Sequence, residues 1–199
     1  MLSLTRSRVR DHITSTLGPI SSEWEESTDG TLLPFSIVKI DGCPISGAFS
    51  LVTIGLSERE LAFPSGASAR QELLVSCDDR YAPLNVQGLI GLVALECAGR
   101  NQALARGEVL GPSGPVLAEL KMEALYASLP AYTPDAFATC SATSPRTHFM
   151  WLVPITRAEA ELVTRKGWKS FEELVVKQDP DLLDLERPEM AIPTLWLAK

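Results

Sequence analysis

Apolar residues in "TRSRVRDHITSTL" (5–17) fall at Val9, Ile13 and Leu17. Spacing of four along one stripe predicts a short amphipathic helix, with Gly18-Pro19 as its stop. The polar, acidic run 21–33 reads as a loop. From "PFSIVKI" (34–40) the pattern becomes strand-like, and "AFSLVTIGLS" (48–57) and "RQELLVSC" (70–77) continue it, rich in apolar and β-branched residues. Residues 85–106 carry Leu89, Leu92, Val93, Cys97 and Leu104 at helical period, with Asn85 as start cap and Gly107 as stop. So wide an apolar arc belongs to a largely buried helix.

"GEVLGPSGPVL" gives a short strand and a Pro/Gly turn. The segment 118–140 begins with helix formers and then meets prolines and turn residues, so it reads as irregular, with one helical turn near Met122–Tyr126. "HFMWLVPI" is a strand. Thr156 and Glu159 form a capping box that opens a helix ending at Gly167. Ser170 and Glu173 repeat that spacing ahead of "FEELVVKQ". Strands that follow one another without intervening helices predict an α+β fold, with a mostly antiparallel or mixed central sheet flanked by helices. No repeat or linker divides the chain, so residues 1–199 are expected to form one domain.

Composition adds limits more than identity. With 45% hydrophobic and 22% charged residues, the chain has the makings of an ordinary globular core. The net charge of −7 is spread over every region. No basic face is set aside for phosphate, which argues against nucleic acid and leaves a basic protein as a suitable partner. No apolar run reaches the ~18 residues of a membrane span, and the N-terminus lacks a signal core. Cys43, Cys77, Cys97 and Cys140 are scattered, as expected of buried thiols in a reduced, cytoplasmic protein.

Candidate chemistry is sparse. The two histidines are His12, on the polar side of the first helix, and His148, which opens the last strand. Cys140, His148 and Asp135 can be composed into a nucleophile set, but nothing in the sequence brings them together. No metal-ligand spacing, phosphate-cradling glycine loop or nucleophile elbow appears, so no metal or cofactor is expected. A hydrolase or transferase using carboxylates and His148 stays open as an alternative. The expected contact loop for a partner is "MEALYASLPAY", with Met122, Leu125, Tyr126 and Tyr132. Of the tryptophans, Trp151 reads as core and Trp168 as packing between two helices. Trp24 and Trp196 are the candidates for exposure.

Four motifs in order carry a resemblance: "LVTIGLS" (51–57), "RQELLVSC" (70–77), "RGEVL" (106–110) and "WLVPITRAEAELVTRKGWKSFEEL" (151–174). Together they resemble the Suppressor of fused domain over about residues 34–188, in its short stand-alone bacterial form. The resemblance implies a non-catalytic protein-binding module. Two-domain members of the family capture a peptide by adding it as a strand between their domains, and this chain is too short for the second domain. Many stand-alone members are thought of as immunity proteins that neutralise toxins, so the resemblance implies another protein as partner, with a basic toxin domain as the candidate. The family's acidic channel residue, just after the glycine that ends the long helix, corresponds to Glu108. Its channel tyrosine is replaced by Glu96.

Overall fold

The continuous apolar runs become strands buried on both faces. A computed structural model of the chain describes residues 3–118, 120–193 and 196. In chain order the elements are α1 (Leu4–Leu17), β1 (Ser22–Glu26), β2 (Leu32–Asp41), β3 (Ala48–Ile54), β4 (Leu61–Ala62), β5 (Ser68–Asp78), α2 (Val86–Arg100), β6 (Val109–Leu110), β7 (Ala124–Ser128), β8 (Thr139–Cys140), β9 (Thr147–Ile155), α3 (Arg157–Lys166) and α4 (Trp168–Gln178). The strands form one sheet in the order β1-β2-β3-β5-β9-β7-β6, with β4 beside β5 and β8 beside β9. Its pairings are antiparallel except β5 with β9, where Arg70 faces Thr147. The fold is α+β with a mixed sheet.

Alternation along each strand divides the core into two layers. Phe35, Ile37, Leu51, Leu73, Val75 and Leu152 face α2. Val38, Ile40, Val52, Leu74, Trp151 and Val153 face α1, α3 and α4. Val9 and Ile13, the stripe of α1, are fully buried there, each contributing about 1.5–3 kcal/mol by burial.

Several elements depart from the sequence pattern. Residues 22–26, expected as loop, are the edge strand β1, paired through Trp24 opposite Ile37. The helical turn expected near Met122–Tyr126 is instead the strand β7, with Tyr126 opposite Val153. Burial between β9 and β6 overrides the helix propensity of Ala, Glu and Leu. α2 ends at Arg100, because Asn101 takes the left-handed conformation (φ 52°) that closes it. Gly107 is therefore not its stop. α4 begins at Trp168 after Gly167, and Ser170 donates its hydroxyl back to the Lys166 carbonyl at 3.2 Å instead of capping. The Thr156–Glu159 capping box is present in full.

Candidate functional site

The motifs singled out above sort into scaffold and surface. In the first two, Glu72 is wholly buried and takes four hydrogen bonds. Thr53 Oγ1 donates to Oε2 at 2.6 Å, and Oε1 receives Gly55 N–H at 2.8 Å, Ser57 N–H at 3.1 Å and Ser57 Oγ at 2.6 Å. Burial raises its pKa against these donors. Thr53, Gly55 and Ser57 are thus fastened to Glu72, and no side-chain oxygen of this set is left for a substrate.

Glu159 is equally occupied. It receives Arg187 Nη1 and Nη2 at 2.7 Å each, Met190 N–H at 3.1 Å and the Thr156 N–H at 3.1 Å. This clasp ties the acidic C-terminal segment to the head of α3. The same segment is held at Asp184, which accepts from Tyr81 at 2.5 Å and pairs with Arg80.

The nucleophile set is not assembled. Cys140 lies opposite Thr147, and His148 opposite Thr139. Period-2 alternation therefore sends Cys140 and His148 to opposite faces. Cys140 is buried with its thiol toward the Arg8 carbonyl at 3.8 Å, while exposed His148 meets Thr139 Oγ1 at 3.2 Å through Nδ1. His12 is not on an open polar face: its ring stacks on Phe149 at 5.5 Å and its Nε2 meets the Phe137 carbonyl at 3.1 Å. The four cysteines are buried and free. Burial, then the charges of Glu108 and Glu96, push the Cys97 thiol up to about 12, so it stays protonated and weakly nucleophilic. Among the described residues, no group of three or more His, Cys, Asp or Glu is placed to hold a metal ion. Nor is any described helix long and apolar enough to cross a membrane.

Of the residues expected at a partner surface, Met122, Leu125 and Tyr126 are 1–3% exposed. They are core positions of the β7 region, which corrects the reading of "MEALYASLPAY" as an open contact loop. Tyr126 also donates its hydroxyl to Glu172 at 2.9 Å. Tyr132 is 47% exposed and sits edge-on to Trp151 at 5.8 Å. Trp24, Trp168 and Trp196 are half-buried, and Trp151 is buried.

Glu108 stands at the edge of the sheet. β6 pairs with β7 on one side only, through Val109 opposite Tyr126. The chain reaches it by a loop that buried Gln71 grips at both ends of its amide, to Leu104 N–H at 2.9 Å and the Leu104 carbonyl at 2.8 Å. Gly107, with φ 88°, then passes against Trp168: an added Cβ would lie 2.5 Å from Trp168 Cβ and Cγ. Only glycine fits there. Glu108 Oε2 accepts the Ala105 N–H at 2.9 Å, which fixes the carboxylate at the mouth of a pocket of about 50 Å³ whose walls include Val93, Cys97 and Leu104. A second depression of about 460 Å³ adjoins it along α2 and β6, floored by Leu89, Leu125 and Val116. The charged residues lining the two are Glu96, Glu108, Glu123 and Arg100. Arg100 is paired with Glu96 at 2.9 Å and Glu123 with Arg157 at 2.5 Å. The groove is apolar below and acidic at its rim.

Beside Glu108 lies a cluster that no spacing in the sequence announces. Arg106 grips Glu172 with Nε at 3.1 Å and Nη2 at 2.6 Å, and its guanidinium lies 4.6 Å over the Trp168 ring. It clamps α4 to the start of β6.

Comparison with known proteins agrees with this architecture. The profile of the Suppressor of fused protein (SUFU) family matches residues 32–188. The chain belongs to the Suppressor of fused family. Among solved structures, it is similar to a SUFU homologue from Neisseria gonorrhoeae, with a TM-score of 0.71 at 16% identity, covering 95% of this chain and 98% of that one. It is also similar to a chain of the Sufu-Fu complex, with a TM-score of 0.61 at 13% identity, covering 89% and 85%. Drosophila Suppressor of Fused gives 0.58 at 12% identity, covering 89% of this chain but 46% of that longer one. No curated protein matches. Identities this low establish a shared fold, with Glu108 at the sheet edge as a feature of this chain's own geometry.

Proposed function

We propose that this chain is a non-catalytic inhibitory module that binds another protein, of the immunity type, and that its partner is a basic toxin domain. The observation that carries the reading is the groove between α2 and β6, an open sheet edge with an apolar floor and Glu96, Glu108 and Glu123 around it. An added strand can take the free side of β6, while side chains of alternating polarity meet the floor and the rim. Membership of a family with a solved Sufu-Fu complex supports protein binding as the general activity. Among the partner residues expected from sequence, Glu108 and Leu125 line this groove. Tyr132 belongs to another part of the surface.

The test is co-expression with the product of the neighbouring reading frame. The expected result is a stoichiometric complex and relief of growth arrest. Glu108→Lys should weaken the complex about tenfold or more, as expected when one partner of a close charge pair is reversed. Rising salt should weaken it further. A complex indifferent to both changes, or no complex, would overturn the reading.

A further inference from the structure

The far edge of the sheet has a second concavity of different construction. β1 is "SEWEE", joined to β2 on one side only. Its first side chains alternate, with Trp24 turned inward against the α2 layer and Glu23 reaching Arg10 of α1, and the register then shifts between Trp24 and Glu26. The Glu25 and Glu26 carboxylates make no ion pair or hydrogen bond among the described residues, and both residues are exposed, while the Glu26 carbonyl accepts from Gln87 Nε2 at 3.3 Å. Next to them, the hairpin joining β1 to β2 and the first turns of α2 enclose a cleft of about 300 Å³. Gly88 and Gly91 keep the helix side of the floor low; a Cβ at Gly91 would come within 3.3 Å of Ile37 Cδ1. Leu32, Leu92 and Leu95 border the cleft, 73%, 66% and 39% exposed. Three large aliphatics left to water around one depression exceed what a surface needs for packing alone.

The charge lining this cleft and the outer hollow of β1 has one sign, while Lys39 lines a separate hollow that Trp24 and Gln87 also border. Asp29 is the charged residue of the cleft lining, and the adjoining hollow along β1 is lined by Glu23, Trp24, Glu25 and Glu26. Neither includes a lysine or arginine. Asp29 is held as an anion by Ser27 Oγ at 2.6 Å and Thr31 N–H at 3.1 Å, which lower its pKa. We propose that the β1 edge and the Leu32–Leu92–Leu95 cleft form a second docking surface, whose occupant is an extended basic segment of a partner protein. Backbone groups of the occupant pair with the open side of β1. Its aliphatic side chains enter the cleft, and its lysines or arginines meet Glu25, Glu26 and Asp29. Glutamates along an edge also discourage a second copy from pairing there, because like charges would align. That selects a cationic strand over self-association.

The β1 strand lies at the opposite edge of the sheet from Glu108; Leu92 of α2 lines both depressions, so the two sites are told apart at residues 22–26, Leu32 and Leu95. The probe is a nine-residue amidated peptide alternating lysine with leucine or valine, titrated into the 15N-labelled chain. A glutamate-for-lysine version is the control. Chemical-shift changes are expected at residues 22–26, Leu32, Leu92 and Leu95, with none from the acidic control. Leu32→Ser, and separately the pair Glu25→Lys and Glu26→Lys, should each weaken binding at least tenfold with Tm unchanged. Glu108→Lys should leave this binding intact. Shifts confined to the α2–β6 groove, full affinity in both variants, no binding, or a dimer of the chain in sedimentation would each overturn the proposal.

Discussion

Arg187 places one guanidinium nitrogen 2.7 Å from each carboxylate oxygen of Glu159, and the two side chains are 2% and 0% exposed. The sequence-local task of Glu159, capping α3, is therefore joined to a long-range one. The carboxylate that closes the capping box also receives the chain's C-terminal strap.

Removing Arg187 leaves a buried carboxylate without its cation. Arg187→Ala should cost about 3–5 kcal/mol, read from urea denaturation. The double change Glu159→Gln with Arg187→Met removes both charges and should cost distinctly less than the single one. Equal losses would mean that packing of the strap, and not charge compensation, sets the energy.

Glu72 is the hub of the β3–β5 turn. Glu72→Gln turns one acceptor oxygen into a donor facing either Thr53 Oγ1 or the Gly55 and Ser57 N–H groups. Each buried group left unsatisfied costs about 1–3 kcal/mol. The expected result is a clear drop in denaturation midpoint without a change in m-value. Hydrogen exchange should speed up first at Gly55 and Ser57.

The chain has three tyrosines, and the pKa of each is raised, first by burial. Tyr81 is pushed up to about 12, where its hydrogen bond to Asp184 adds to the effect. A folded value above the unfolded value of about 10 means that the neutral form is favoured in the fold. That stability is fully present below pH 10 and is lost as pH rises through 12. Absorbance at 295 nm should thus rise at higher pH than for free tyrosine, with the Tyr81 part appearing together with alkaline unfolding. A tyrosine titrating at its ordinary value in the folded protein would contradict this.

The sequence shows its central strands clearly because burial on both faces demands unbroken apolar runs, as at Leu73–Val75 and Met150–Ile155. β1 is hidden because three of its five residues are glutamates, which is edge-strand composition and also loop composition. β7 is hidden by Ala124 and Leu125, helix formers that pairing with β9 overrides. The two-sided fate of Cys140 and His148 depends on one register, Thr139 opposite His148, that no local pattern encodes. Glu108 came from resemblance alone. Its groove exists because Gln71, distant in sequence, grips Leu104, and because Gly107 passes against Trp168.

The parallel pairing of β5 with β9 has a temporal meaning. β1, β2, β3 and β5 are antiparallel neighbours that a growing chain can assemble as it emerges. β9 arrives much later, so until then β5 presents Leu73, Leu74 and Val75 on an open flank in the middle of the future sheet. Such late closure between distant segments slows folding and exposes a sticky strand in the meantime. The ribosome-bound intermediate should be the state most prone to aggregate, and the one most in need of a chaperone. The finished protein has two acidic rims, while the unfinished one has a bare hydrophobic seam at its centre.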